Sequence, residues 1–201
     1  MKNMTLEAFV ALTESDAPAP GGGSVAALAG ALAAALSGMV ANLTIGKEKY
    51  ADAEAEMKVM EPKAQELSKK LLDGISEDSN SFNVYMDALK LPKTTDEEKE
   101  VRKQAMQNGL KEAAVVPLHT AQMAYEVMDF AQLAVEKGNQ NAVTDGKTGA
   151  MLARTAVLSA GLNVRINLES IKDEKFVQEM KEQLTVIEEN AIRREKEILG
   201  W

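Results

Sequence analysis

The stretch Pro20–Ile45, PGGGSVAALAGALAAALSGMVANLTI, decides the fold. Its Pro-Gly-Gly-Gly-Ser opening is a loop followed by a helix start. No charged residue occurs from Gly21 to Gly46. Ala26, Gly30, Ala34 and Gly38 make a face with almost no side chain, and Asn42 extends it by one turn. Leu28, Leu32, Leu36 and Val40 make a second, bulky face. A helix apolar all round is expected to be buried all round, its small face admitting another backbone and its bulky face filling a core.

The same stretch is long enough to cross a bilayer. Alanine and glycine make it only weakly hydrophobic, however, and no second candidate span and no Lys/Arg cluster on its N-terminal side accompany it. The charged, amphipathic Met1–Asp16 segment ahead of it does not read as a signal peptide. The stretch therefore reads as the central helix of a soluble helical protein, and a cytoplasmic location is expected.

Composition agrees. A chain of 201 residues suits one helical domain, 1–201, with room to enclose a helix. The net charge of −8 argues against nucleic acid or an anionic membrane as the main partner. With no cysteine and a single histidine, thiolate chemistry is excluded and a His/Cys metal site is not expected. A carboxylate-bound magnesium stays compatible with the composition.

Outward from the centre, every segment reads as helix. Met4–Ser15 is a short amphipathic helix with Leu6, Phe9, Val10 and Leu12 on its apolar side, stopped by Asp16-Ala-Pro-Ala-Pro20. Ala51–Leu91 repeats apolar residues at helical spacing, with Pro62 expected to kink it or open its second half and Gly74 a weak point. After Leu91-Pro92, Thr95 with Glu98 forms a capping box for a helix over Asp96–Lys137, which Pro117 should kink. Thr144 or Asp145 is expected to cap a helix running from Lys147 to about Ile171, and Asp173–Leu199 is the last. The Lys147–Ile171 segment echoes the central one: Gly149, Ala153, Ala156, Ala160, Asn163 and Asn167 form a small stripe ending in asparagine. The two helices are expected to pack through their small faces, with the asparagines at polar ends of the seam. No segment alternates with period two, so the fold class is all-α, a multihelical bundle around two Ala/Gly-rich helices.

Few residues carry chemistry on their own. The Gly21–Ser24 turn offers backbone N–H groups to an anion at a helix start, although no Lys-Ser/Thr pair follows to make it a nucleotide loop. Lys47-Glu-Lys-Tyr50 reads as cations complementing a helix end, or as an anion-binding corner. His119, among apolar neighbours, reads as a packed residue. Asp78 alone would pass for a solvated acid.

Together the segments resemble one family. Pro18-Ala-Pro-Gly-Gly-Gly-Ser-Val-Ala-Ala27, Ala41-Asn-Leu-Thr-Ile-Gly-Lys-Glu-Lys-Tyr50, Asp78 ahead of Phe82, Ala88-Leu-Lys-Leu-Pro-Lys93, Val116-Pro-Leu118, Gly138-Asn139, Thr144-Asp145 and Asn163-Val-Arg-Ile-Asn167 occur in this order. This set is similar to the cyclodeaminase/cyclohydrolase family of folate one-carbon enzymes. The resemblance spans about Thr5 to Asp173.

The resemblance implies an all-α homodimer with two buried central helices and an active-site aspartate, here Asp78. Ser76 stands where that family often has a second aspartate, so a partner carboxylate is either absent or supplied by Glu77. By motif match the resemblance makes Gly21, Gly22, Gly23, Ser24, Asn42, Lys47, Tyr50, Asn139, Asp145, Asn163 and Asn167 candidate substrate-binding residues. The glycine turn would face the folate or its glutamate tail, Lys47 and Tyr50 a carboxylate, and Asn163 and Asn167 the pterin edge. Lys47, Lys49, Arg154 and Arg165 are the candidate cations.

The expected activity is formiminotetrahydrofolate cyclodeaminase, without metal or organic cofactor. The alternative is methenyltetrahydrofolate cyclohydrolase. A reading from another class is a non-catalytic helical dimer that binds an anion or a partner helix.

Overall fold

The uncharged stretch forms one helix, α2, Gly22–Thr44. It stops where Gly46 turns to a φ of 74°, the left-handed conformation that glycine tolerates best. The computed structural model describes residues 1–201 and adds five more helices: α1 Leu6–Glu14, α3 Glu54–Leu89, α4 Asp96–Lys137, α5 Val143–Leu168 and α6 Glu174–Leu199. Short 3-10 turns, Glu48–Ala53 and Gln140–Ala142, lead into α3 and α5, and there is no strand.

Local signals set most boundaries. Thr95 accepts from the Glu98 backbone at 3.2 Å while the Glu98 carboxylate accepts from the Thr95 N–H at 2.9 Å, which is the capping box the sequence shows. Asp173 caps α6 through the Phe176 N–H. The start of α5 differs from expectation. The helix begins at Val143, so Thr144 and Asp145 lie in its first turn rather than capping it. The 3-10 turn feeds straight into α5; the Asn139 side-chain amide oxygen caps that turn by accepting from the Asn141 N–H at 3.0 Å, and α5 itself has no side-chain cap. Helices α3 and α4 run on through Pro62 and Pro117. In α1 only Phe9 is buried, with Ala27 and Ile75; Leu6 and Val10 face solvent, because so short a helix rests on the bundle along one row.

Helix α2 is the one helix long and apolar enough to cross a membrane by length and composition, with mean hydropathy 1.9. Here α3, α4 and α5 pack around it. Its small residues let them approach. At Gly30 an added Cβ would lie 3.1 Å from Leu71, a fully buried leucine of α3, and 3.5 Å from Ala124 of α4. At Gly74 a Cβ would sit 3.5 Å from Ala27, so this glycine, a weak point by propensity, is where α3 and α2 come together. At Gly30, the tighter of the two, an extra methyl typically costs about 1–3 kcal/mol.

Helices α2 and α5 do pack closely, and Gly149 of α5 faces the Ala33 carbonyl and Ser37. On α2, however, the seam runs through Gly22, Ala33 and Ser37, while Gly30 and Gly38 turn toward α3. A helix surrounded on several sides spreads its small residues around its circumference, so one stripe does not name one neighbour. The bulky stripe is a second correction. Leu32 is 48% exposed, and Val25, Met39 and Leu43 are exposed beside it. Within one chain, α2 is therefore not enclosed all round.

Candidate active site

Asp78 lies in the C-terminal third of α3, where the N-terminus of α2 meets it. Gly23 makes the approach possible: a Cβ there would stand 2.0 Å from the Asp78 Oδ1. The first turn of α2 thus closes directly on the carboxyl group. The Ser24 hydroxyl donates to Asp78 Oδ2 at 2.8 Å, and the Ser24 backbone N–H also donates to the carboxylate. These bonds, and the positive end of the α2 dipole, favour the ionised form. Burial opposes them and is the larger effect, so the Asp78 carboxyl is held above its ordinary value. Ser24 is fully buried, and Ser79 beside it donates to the Ile75 carbonyl at 3.2 Å.

The opposite wall comes from α5. Asn163 packs against Gly22, whose Cβ would lie 3.3 Å from its amide nitrogen. Asn163 donates one N–H to the Ser159 carbonyl at 2.9 Å, which leaves its second N–H and its carbonyl oxygen available. Asn167 donates to the carbonyls of Ala113 at 2.7 Å and Asn163 at 2.9 Å, so only its acceptor oxygen remains. The Ala113 bond explains a motif that spacing left unexplained. Pro117 has no N–H, so the Ala113 carbonyl four residues earlier lacks its helical donor. Asn167 takes that place. The proline in α4 thus fixes an asparagine on α5.

Between these walls is a cavity of about 280 Å³. Gly21, Gly22, Gly23, Asp78, Asn163 and Asn167 line it, and no lysine or arginine does. Ser79, Ser81, Phe82, Ala113 and Ile166 also line it and were missed by sequence reasoning. Phe82 and Ser81 follow Asp78 by about one helical turn, a signal available in the sequence; Ala113 and Ile166 left none, because only the packing of α4 against α5 brings them there.

The remaining candidates lie elsewhere. Asn42 is on α2, roughly 30 Å from Gly23 at 1.5 Å per residue. Lys47, Tyr50 and Asn139 follow at the same end, and Asp145 lies in the first turn of α5, one turn before the Gly149 contact with Ala33 and Ser37. Tyr50 and Asn139 are engaged with each other there: the Tyr50 hydroxyl donates to Asn139 at 3.3 Å and accepts from the Gln140 N–H at 3.0 Å. Asn139 also donates to the Leu43 carbonyl at 2.9 Å. Within one chain, then, Asn42, Lys47, Tyr50, Asn139 and Asp145 do not meet Asp78. Arg154 and Arg165 face α6, committed to Glu195 at 3.0 Å and to Glu188 at 2.6 Å.

Glu77 does not serve as a partner carboxylate. It projects into a separate cleft between α3 and α4, one step around the helix from Asp78, with Lys70, Asp73 and His119. His119 is exposed there rather than packed in the core. No three His, Asp or Glu side chains are arranged to hold a metal ion.

A family model described as formiminotransferase-cyclodeaminase matches residues 5–186. A methenyltetrahydrofolate cyclohydrolase of Methylorubrum extorquens is 42% identical over 182 residues, covering 90% of this chain and 88% of that protein. A formimidoyltransferase-cyclodeaminase of Gallus gallus is 39% identical over 186 residues, 92% of this chain but 34% of that protein, so the chain spans about a third of its length. Among solved structures, the formiminotetrahydrofolate cyclodeaminase of Thermotoga maritima matches with a TM-score of 0.86 at 33% identity, over 99% of this chain and 97% of that one.

Proposed function

Because the chain belongs to the formiminotransferase-cyclodeaminase family, we propose that it is a folate one-carbon enzyme that closes 5-formiminotetrahydrofolate to 5,10-methenyltetrahydrofolate with release of ammonia. The observation that carries the reading is the Asp78 carboxyl, pressed against the start of α2 and held above its ordinary pKa by burial. In the proposed reaction N10 attacks the formimino carbon, the new C–N10 bond forms, and the N10 proton passes to Asp78. The carboxyl group then gives a proton to the departing nitrogen. With one further proton from solvent, ammonia leaves and the methenyl cation remains. A group that must both take and give a proton works best when its pKa is moved toward the working pH. Positioned acid–base catalysis of this kind contributes about 10²–10⁴-fold. Asn163 and Asn167 hold the pterin edge, with Asn167 as acceptor only. The step needs no metal or organic cofactor.

The reading extends to a cytoplasmic homodimer acting on a small-molecule folate, with no nucleic acid or membrane partner. The net charge of −8 and the exposed apolar face of α2 support it.

A second reading is methenyltetrahydrofolate cyclohydrolase, favoured by the 42% identity to the Methylorubrum protein over nearly its whole length. Here Asp78 takes one proton from water adding to the methenyl carbon; as the C–N5 bond of the carbinol breaks and the formyl C=O forms, the remaining hydroxyl proton goes to N5, giving 10-formyltetrahydrofolate, and the proton on Asp78 is released to solvent.

The near-ultraviolet absorbance of the methenyl bridge tests both. With 5-formiminotetrahydrofolate, the first reading predicts a rising signal and released ammonia over a no-enzyme blank. Accelerated loss of signal from methenyltetrahydrofolate, with no ammonia from the first substrate, would establish the second reading instead. Turnover of neither substrate would point to a non-catalytic binding protein.

A further inference from the structure

The Asp78 carboxyl rests on two buried serines that share one acceptor. The Ser24 hydroxyl has two acceptors within reach, Asp78 Oδ2 at 2.8 Å and the Ile75 carbonyl oxygen at 3.3 Å. The Ser79 hydroxyl lies 3.2 Å from the same Ile75 oxygen and 3.4 Å from Ser24 Oγ. It also lies 3.2 Å from Met1 Sδ, a weak acceptor. A carbonyl oxygen has two lone pairs. Inside α3 the Ser79 N–H takes one of those on Ile75, four residues back. One lone pair is left for two hydroxyls, and each hydroxyl has a single proton to give.

The arrangement has two complete forms. With Asp78 ionised, Ser24 donates to the carboxylate and Ser79 donates to Ile75. With Asp78 protonated, its O–H donates to Ser24 Oγ, Ser24 turns its proton to Ile75, and Ser79 turns to Ser24 Oγ or Met1 Sδ. Every hydroxyl proton keeps an acceptor in both forms, as buried polar groups require. A carboxyl group that takes a proton and gives it back is served by such a pair of forms, because a partner fixed as donor would resist protonation. No other charge faces Asp78. Helix α2 carries none, and α4 and α5 contribute only Ala113, Asn163, Ile166 and Asn167 to the cavity wall. Arg165 is held by Glu188. On α3 itself Glu77 points into the neighbouring cleft and Asp73 pairs with Lys2, while the Met1 amino group reaches Ser76 at 3.5 Å.

We propose that Ser79 is a positioning residue for proton transfer at Asp78. By occupying the Ile75 carbonyl it commits the single Ser24 proton to the ionised carboxylate. By releasing that carbonyl it lets Ser24 turn when Asp78 takes a proton from substrate. No covalent bond changes at either serine; the two hydroxyls only rotate, and the effect of Ser79 on Asp78 passes through Ser24. That the proton comes from a folate rests on the reading above, whereas the hydroxyl arrangement does not.

The test is a carbon NMR titration of Asp78 in the full chain, isotopically labelled at the aspartate carboxyl carbons. The Asp78 resonance is identified by its loss in Asp78→Asn. In Ser79→Ala the Ile75 carbonyl is free to draw off the Ser24 proton, so the proton affinity of Asp78 should rise about three-fold, moving its midpoint up by about half a pH unit. Ser24→Ala removes a donor to the charged group outright, and the affinity should rise about ten-fold or more. In the Ser24→Ala background, Ser79→Ala should add nothing. The acid limb of kcat/KM, on the folate that wild type converts, should move up with the midpoint. An unmoved midpoint in Ser79→Ala would overturn the proposal whatever happens to the melting temperature, because a merely structural serine changes stability alone. An equal rise in both backgrounds would also overturn it, since Ser79 would then act without Ser24. Midpoints that move as expected in a protein that turns over neither folate substrate would support the serine pair and refute the folate reading instead.

Discussion

The three glycines that open α2 differ in what a methyl group would meet, and this gives a graded test of the site. At Gly23 a Cβ would stand 2.0 Å from Asp78 Oδ1 and 2.6 Å from Cγ. To restore an ordinary contact near 3.4 Å, the carboxyl group must retreat by about 1.4 Å. That movement breaks the 2.8 Å bond from the Ser24 hydroxyl. Misplacing a catalytic group by about 1 Å can cost roughly 10²-fold in rate. Gly23→Ala should therefore lower kcat by about 10² or more, while the helix itself gains up to about 1 kcal/mol in propensity. At Gly22 the nearest neighbour is the Asn163 amide at 3.3 Å, which can give by a few tenths of an ångström, so Gly22→Ala should cost a few-fold and act mainly on KM. At Gly21 nothing lies within 4 Å, and Gly21→Ala should be close to wild type. Initial rates of methenyl formation for the three variants, with circular dichroism to confirm helix content, make the comparison. Equal losses at all three positions, or a fully active Gly23→Ala, would refute the placement of Asp78 against α2.

Three further outcomes follow from the same structure. Burial raises the Asp78 pKa above its ordinary 3.8 against the opposing Ser24 bonds, so the fold disfavours the ionised carboxylate, a penalty present above the folded pKa and absent at low pH. Asp78→Asn should accordingly be more stable than wild type in urea at pH 7, with the gain vanishing below pH 3.8; a gain independent of pH would contradict the raised pKa. Pro117→Ala restores an N–H to compete for the Ala113 carbonyl and loosens Asn167. It should leave the melting temperature unchanged or higher yet lower kcat/KM by roughly ten-fold; parallel changes in both, or in neither, would sink the idea. Thr95→Ala removes the capping box of α4, far from the site, and should cost about 1 kcal/mol, or 2–4 °C in melting temperature, with activity intact.

Much of the fold is legible in the sequence because its signals are local. The Thr95–Glu98 box and the Asp173 cap lie within one turn of what they stabilise, and the uncharged run of α2 marks the bundle's centre. What is not legible depends on direction. Periodicity says that Leu32 and Met39 share a face, but a face covered by the chain's own core and one left exposed have the same spacing. Likewise, the stripe Ala26–Gly30–Ala34–Gly38 announces close packing without naming α3 as the neighbour. At the site, Asp78 and the glycine turn emerge from the family resemblance, whereas Ser24 as a hydrogen-bond donor to Asp78 does not. The Pro117–Asn167 link is invisible because it joins an absent N–H on one helix to an amide on another. Glu77, adjacent to Asp78 in sequence, projects into a different cleft because each helical residue turns about 100° from the last.

The most direct measurement is turnover by Asp78→Asn beside wild type, with folate binding followed separately by ligand-induced stabilisation. Asparagine keeps the shape of the side chain and can still accept from Ser24, but it does not exchange a proton. The account predicts that binding survives while kcat falls by about 10²–10⁴-fold on whichever folate wild type converts. Near-normal turnover by Asp78→Asn would contradict it.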